Sequence, residues 1–291
     1  MDIHCITEER VLLGESPVFS AEENCVYWID ILGPSLLRTD LNNAETMSWV
    51  LPSAPGMIAL RGFAGLMVAL EDGLYSFNPP TRKLEKLAPF EEVHTENRAN
   101  DGKCDIAGRL WLGTMNKTDS TQPTGGFYRF DSRLAATKIG SDYRIPNGLA
   151  WSPDDEIMYH TDSRGGAVYS YDYDAVTGER SGEKEFFKFD REISGSVDGA
   201  AMDIEGGYWT VLYGGGKLIR LLPDGTLDKE IPLPVSQPTM PAFGGPEMKT
   251  LFITTAAQNL SEQELAEQPL AGGLLALNVD VQGHPVHPFG C

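Results

Sequence analysis

The 291-residue sequence predicts an all-β fold, a six-bladed β-propeller, from short alternating apolar runs, a strand core that recurs along the chain, and a turn chemistry rich in glycine and proline. Apolar or alternating runs bounded by Gly, Pro, Asp and Asn occur at 26–31, 66–70, 109–114, 126–130, 168–173 and 217–222, which is the pattern of strands. Gly 31 and Pro 19 both exceed their usual shares, as many short strands with many turns require. The best helical candidate is 260–270, rich in Glu, Gln, Ala and Leu, and Pro269 stops it after one or two turns.

The recurrence sets the blade number. Strand cores read VYWID near Trp28, LMVAL near Val68, RLWLG near Trp111, IMYHT near Tyr159, GYWTV near Trp209 and TLFIT near Phe252. Their spacing is roughly 40–50 residues, the length of a four-stranded propeller blade, so six cores imply six blades. Two units are near-copies: Asp105-Ile106-Ala107-Gly108-Arg109-Leu110-Trp111 and Asp203-Ile204-Glu205-Gly206-Gly207-Tyr208-Trp209. Because each blade meets a neighbour on both faces, middle strands should be apolar on both sides while the innermost strand lines the channel. Trp28, Trp111 and Trp209 are expected between blades. Leu274 to Val279 is expected to close the ring by pairing with the segment around Val11 and Leu12, leaving no long exposed edge. No linker or composition break interrupts residues 1–291, which read as a single domain.

Hydrophobic residues at 41% and charged residues at 22% describe an ordinary globular chain with a sizeable core. Forty-two acidic against 23 basic residues give a formal charge of −19, which repels phosphate backbones and sets aside nucleic acid and anionic membranes as partners. Small neutral ligands remain open, in a monomer or weak homo-oligomer. Met1-Asp2-Ile3-His4 lacks the basic start and apolar run of a secretory signal, and no stretch approaches the ~18 apolar residues of a membrane span. Cys5, Cys25, Cys104 and Cys291 show neither CxxC spacing nor scaffold density, so reduced thiols and a cytoplasmic location are expected.

Four segments place polar groups beside Gly or Pro about ten residues before a strong strand: Gly14-Glu15-Ser16-Pro17, Asn97-Arg98-Ala99-Asn100-Asp101-Gly102-Lys103, Ile145-Pro146-Asn147-Gly148-Leu149 and Gly195-Ser196-Val197-Asp198-Gly199. Taken singly, Asn147-Gly148 and Asp198-Gly199 are ordinary turn dipeptides and Glu15 a surface acid. At matching positions of successive blades they converge on one mouth of the channel. Glu15, Asn147 and Asp198 then offer oxygen donors only, a set that suits one divalent metal cation, Ca²⁺, Mg²⁺ or Mn²⁺, and tolerates Zn²⁺ or Fe²⁺.

These segments, with Gly108-Arg109, Gly113-Thr114-Met115, Gln237-Pro238-Thr239 and Phe243-Gly244-Gly245, resemble the family of senescence marker protein 30, gluconolactonase and luciferin-regenerating enzyme over nearly the whole chain. The resemblance implies a six-bladed propeller with a central metal site that hydrolyses sugar lactones. It implies Glu15, Asn147 and Asp198 as metal ligands, and Arg98 and Asn100 as groups that hold substrate hydroxyls or water, Asn100 being also a candidate to touch the metal. Where some relatives carry an acidic residue soon after the GTM tripeptide, this chain has Asn116-Lys117-Thr118, which puts the particular sugar in doubt. Gluconolactone, galactonolactone, arabinonolactone, xylonolactone and gulonolactone all fit a generic polyol site.

Water attack on a lactone carbonyl develops an oxyanion, which a metal would stabilise as a Lewis acid. Asp198 is the candidate general base, and Arg98 positions the substrate through its fork of donors. A phosphotriesterase or arylesterase on the same scaffold, or a propeller that only binds proteins, are the alternatives. Ser16 lies outside any G-x-S-x-G elbow, and Gly214-Gly215-Gly216 precedes no helix that would make it a phosphate cradle. His284 and His287 read as idle in a Pro-interrupted tail, and His94 and His160 more readily as packed residues than as cavity lining.

Overall fold

In the computed structural model, which describes residues 2–62, 65–91 and 94–290, the alternating segments form six antiparallel sheets of four strands. The first blade consists of Gly14–Ser20, Cys25–Asp30, Ser35–Asp40 and Thr46–Val50, and the second of Met57–Arg61, Gly65–Leu70, Gly73–Asn78 and Lys83–Ala88. Asn97–Cys104, Leu110–Asn116, Gly125–Phe130 and Ala136–Tyr143 make the third, and Pro146–Trp151, Ile157–Asp162, Ala167–Asp174 and Glu179–Lys188 the fourth. The fifth contains Ser196–Met202, Tyr208–Tyr213, Lys217–Leu221 and Leu227–Pro232. The sixth contains Pro238–Gly244, Thr250–Thr255 and Leu274–Asn278, and takes its outer strand, Ile3–Cys5, from the N-terminus. The first-named strand of each blade contacts its counterparts in both adjacent blades, so six inner strands ring the axis.

Period-two alternation explains how the blades hold together. In Cys25–Asp30, Cys25, Tyr27 and Ile29 pack against Ile58, Val68 and Leu70 of the second blade, while Val26 and Trp28 pack against Phe252, Leu274 and Ala276 of the sixth. The same division recurs in the third blade, where Leu110 and Leu112 face the second and Trp111 faces the fourth. Among the described residues six apolar clusters form, one at each boundary between blades. Trp28, Trp111 and Trp209 are fully buried in them, as expected.

The closure differs from the sequence expectation in its partner strand. Leu274–Asn278 pairs with Ile3–Cys5, with Ile3 opposite Leu277 and Cys5 opposite Leu275. Ile3 and Cys5 turn toward the core and His4 outward, the alternation of an outer strand. Val11 is buried at the boundary of the first and sixth blades and Leu13 in the cluster between the first and second; Val11 N donates to Gly272 O at 2.9 Å and Ala257 N donates to Leu12 O at 3.0 Å. The helical candidate is realised as Glu262–Glu267, started by Ser261, whose hydroxyl accepts from Glu264 N while the Glu264 carboxylate accepts from Ser261 N. No helix among the described residues is long and apolar enough to cross a membrane. Cys5 and Cys25 are free thiols, and Cys291 lies outside the described residues.

The near-copied segments build the same device with one exchange. Asp105 accepts from Ala107 N and Arg109 N with one oxygen, and from Trp111 Nε1 (3.0 Å), Tyr173 OH (2.6 Å) and Arg109 Nε (2.7 Å) with the other. Asp203 accepts from Glu205 N and Gly207 N, and from Trp209 Nε1 and Arg220 Nε, both at 2.7 Å. Position 207 has lost the arginine found at 109, and Arg220, from the next strand and opposite Trp209, replaces it. A Cβ at Gly207 would collide with Asp203 Oδ2 and Arg220 Nε, so glycine makes room for the imported guanidinium. Each carboxylate thereby ties its turn and its tryptophan together. Asp203→Ala leaves Trp209 Nε1 and the turn N–H groups of Glu205 and Gly207 without an acceptor, while Arg220 keeps Glu205 and Asp228, and is expected to destabilise the protein by about 1–3 kcal/mol; an unchanged urea midpoint would show that the carboxylate does not hold this corner.

Candidate functional site

Four inner strands carry the same irregularity, two residues against one on the partner strand. Ser16 and Pro17 oppose Trp28, Asn100 and Asp101 oppose Gly113, Gly148 and Leu149 oppose His160, and Asp198 and Gly199 oppose Val211. The inner strand of the second blade pairs without interruption. All five candidate residues from the sequence lie at or beside these bulges and line one cavity of about 470 Å³.

Their positions are offset by one residue, where the sequence reading has them equivalent. Asn100 and Asp198 are the first residues of their bulges, whereas Glu15 and Asn147 immediately precede theirs. The backbone makes up the difference. After Glu15 and Asn147 the chain turns left-handed, at Ser16 (φ 49°) and Gly148 (φ 67°), whereas Asn100 and Asp198 have no positive φ. Gly148 suits that conformation, and a Cβ there would press on Tyr208 OH. Ser16 is held in it between blades, its hydroxyl accepting from Ile58 N at 2.9 Å.

A hydrogen-bonded chain crosses the site. Arg98 Nη1 donates to Asn100 Oδ1 (3.0 Å), Asn100 Nδ2 to Asn147 Oδ1 (2.9 Å), and Asn147 Nδ2 to Asp198 Oδ1 (2.8 Å). Ser163, which the sequence reading missed, fixes the Asn147 amide: its Oγ accepts from Asn147 Nδ2 at 2.9 Å and donates to Val197 O at 2.6 Å. Glu15 accepts from Ser16 N at 2.9 Å. Lys103, from the same segment as Arg98 and Asn100, does not line this cavity; its ammonium donates to Leu149 O at 3.0 Å and to Ala200 O, and it lines a separate, smaller space on the side of the C-terminal tail.

The other flagged histidines stand apart. His160 is stacked on Phe127 with ring centroids 4.2 Å apart, a packed core residue. His94 is half-exposed beside Glu96, and His284 and His287 meet edge to face in the tail. Arg164, Arg191 and Tyr213 also line the cavity and were not singled out from sequence. Nothing local marks them, since Arg164 follows a strand, Tyr213 ends one and Arg191 opens a short helix, and only the ring brings them to the axis.

The comparisons with known proteins agree with this architecture. The family model described as the SMP-30/Gluconolactonase/LRE-like region matches residues 13–257. The chain is 38% identical to 6-deoxy-6-sulfogluconolactonase of Pseudomonas putida over 97% of this chain and 96% of that protein. It is 31% identical to regucalcin of Homo sapiens over 94% and 93% of the two chains. The solved structure of a calcium-binding protein, regucalcin, from Agrobacterium tumefaciens superposes with a TM-score of 0.93 at 29% identity, covering 99% of this chain and 96% of that one.

Electrostatics decide whether the site suits a cation. Among the described residues no cluster of three or more His, Cys, Asp or Glu side chains stands ready for a metal. The set here is two carboxylates and amide oxygens, which is the chemistry of hard divalent ions. Burial pushes the Glu15 carboxyl up to about 8, against the hydrogen bond from Ser16 N. Burial, then repulsion from Glu15 and Asp101, raises Asp198 well above the usual carboxylate range. Burial also draws Arg98 down to about 10. Neither Glu15 nor Asp198 makes an ion pair among the described residues, so the two charges want a cation, and the donor set fits one. A carboxyl raised in this way stabilises the fold fully below its ordinary value of 4.5 and loses that contribution as pH rises through about 8. In chelator-treated protein, Glu15→Gln is therefore expected to gain thermal midpoint relative to the unsubstituted chain between about pH 5 and pH 8. Parallel midpoints over that range would contradict the assigned environment of Glu15.

Proposed function

The chain belongs to the SMP-30/gluconolactonase/LRE-like family, and from that premise we propose that it is an enzyme that opens sugar lactones to aldonic acids by hydrolysis, with a divalent cation held by Glu15, Asn147 and Asp198. The observation that carries this reading is the linked set Arg98, Asn100, Asn147 and Asp198 at the bulges of three inner strands, facing one polar cavity with Glu15. The relative named 6-deoxy-6-sulfogluconolactonase supports the substrate class, and the calcium-binding regucalcin structure supports a cation.

When bound, the cation supplies positive charge that polarises the ester carbonyl and lowers the pKa of water. Asp198 takes the proton of the attacking water as the new C–O bond forms. It returns that proton to the ring oxygen as the ester C–O bond breaks, so one carboxylate serves both halves of the reaction. No covalent intermediate is needed. Arg98, whose guanidinium already holds Asn100 and Ala99 O, presents its remaining donors to the carbonyl end or the hydroxyls of the sugar. Asn100 keeps Asn147 oriented and, with its amide N–H groups donated to Pro146 O and Asn147 Oδ1, offers its oxygen to a substrate hydroxyl. Ser163 prevents the Asn147 amide from turning. A phosphotriesterase or arylesterase would be better served by a broad apolar pocket, and this cavity sets Arg98, Asn100, Asn147, Ser163 and Asp198 among apolar groups such as Leu32, Met115 and Ile145.

The test is proton release from a panel of aldonolactones with chelated enzyme and with Ca²⁺, Mg²⁺, Mn²⁺, Zn²⁺ or Fe²⁺ restored. Turnover is expected only with a cation. Asp198→Ala is expected to lower kcat by about 10²–10⁴-fold with an unchanged circular dichroism spectrum, because the side chain faces a cavity. Full activity in that variant would remove Asp198 from the mechanism.

A further inference from the structure

The chain as a whole carries a formal charge of −19, yet four cations, Arg98, Lys117, Arg164 and Arg191, line the cavity that holds Glu15 and Asp198. Two of the four have partners already. Lys117 pairs with Glu71 at 3.0 Å, and Arg98 is bound to Asn100 and Ala99 and faces Glu15, Glu71 and Asp198. Arg164 and Arg191 are different. Arg164 follows the second strand of the fourth blade, and its main-chain N–H is fixed on Asp162 Oδ1 at 3.0 Å. Its Nη2 donates to the neutral Ser120 Oγ at 2.8 Å, while its Nε is buried without any hydrogen-bond acceptor. Arg191, in the short helix Arg191–Ser194 between the fourth and fifth blades, has Nε on the neutral Ser196 Oγ at 3.2 Å. Among the described residues neither makes an ion pair. Asp119 senses the Arg164 charge, but its oxygens are taken by Thr121 and Gln122.

A buried guanidinium donor with no acceptor is costly unless a ligand satisfies it, and both arginines line the space that a substrate would enter. With Glu15 and Asp198 neutralised by the cation they are suited to hold, the remaining charge of the cavity is positive. We propose that Arg164 and Arg191 form an anion subsite and that the preferred substrates are sugar lactones bearing an oxyanion, a sulfonate, phosphate or carboxylate, at the end remote from the ester carbonyl. This rests on the lactonase reading and narrows it. A neutral polyol would leave the two forks without charged partners, whereas an oxyanion accepts from them in charge-assisted, two-point geometry. The cavity, about 470 Å³, lies within the ~300–1,000 Å³ of small-molecule sites and leaves room beyond the sugar ring for such a group. The negative exterior does not oppose this, because charges more than a Debye length from the site are screened while those lining it are not.

The experiment compares kcat/KM for gluconolactone, its phosphate and sulfonate analogues at carbon 6, and a lactone of a sugar diacid, using cation-loaded enzyme, R164Q, R191Q and R164K. A second arm measures calorimetric binding of gluconate and 6-phosphogluconate. At least one anionic lactone is expected to be preferred about tenfold or more, with the preference falling by a similar factor in R164Q and R191Q, partly kept in R164K, and weakened by salt. The order among sulfonate, phosphate and carboxylate identifies the group. Equal or better turnover of the neutral lactone, or variants that lower both classes together and leave the ratio unchanged, would overturn the subsite while leaving the lactonase reading intact. If no lactone is turned over, that reading fails, and calorimetry still decides the subsite: tighter binding of 6-phosphogluconate that R164Q abolishes supports it, and equal binding of the two acids rules it out.

Discussion

The two-against-one bulge of the inner strands is the constraint on which the site depends. A regular inner strand points alternate side chains into the two blade interfaces, where apolar groups belong, as the uninterrupted Met57–Arg61 does. An inserted residue breaks that alternation and re-aims one side chain toward the axis. Five of the six inner strands carry an extra residue, the sixth blade's at Thr239, and the four that bring the candidate side chains to the site do so by two backbone routes. At Glu15 and Asn147 the following residue goes left-handed, while at Asn100 and Asp198 the bulge residue itself carries the polar group. The blades supply rigidity, and the exceptions to their regularity supply the polar groups.

Two aspartates of one inner-strand neighbourhood show how the surroundings separate structure from chemistry. Asp203, five residues after Asp198, is fully buried and satisfied by two main-chain N–H groups, an indole and a guanidinium. Asp198 accepts from the Asn147 amide but is buried close to Glu15 and Asp101, and burial and then their repulsion raise its proton affinity. The first is a fastener and the second a carboxyl with a perturbed proton affinity facing a cavity, a distinction set by surroundings and not by residue type.

Much of this was legible in the chain. Blade number, the interface tryptophans and the bulge segments follow from local periodicity and from Gly and Pro beside polar groups, all of which act over a few residues. The closing strand was not: Ile3–Cys5 is too short to carry a periodic signal, while Val11–Leu12 looks more like a strand and is used to seal a blade boundary. Ser163, Arg164 and Arg191 were also invisible, since a serine or arginine beside a turn is commonplace until the ring closes around it.

Charge draws the same line. Composition determined that the exterior is acidic and that phosphate backbones are poor partners, because a sum over residues does measure the far field. It could not determine the sign of the charge inside the cavity, where Arg98, Lys117, Arg164 and Arg191 gather from two blades and from the helix leading into a third. The sequence by itself determined the repeating β architecture and which segments face the axis, because those are set by side-chain period and backbone sterics along a few residues. Only the tertiary structure decided which charges keep partners and which do not, because the Coulomb interaction and desolvation depend on distances between residues that the closed ring, and nothing local, brings together.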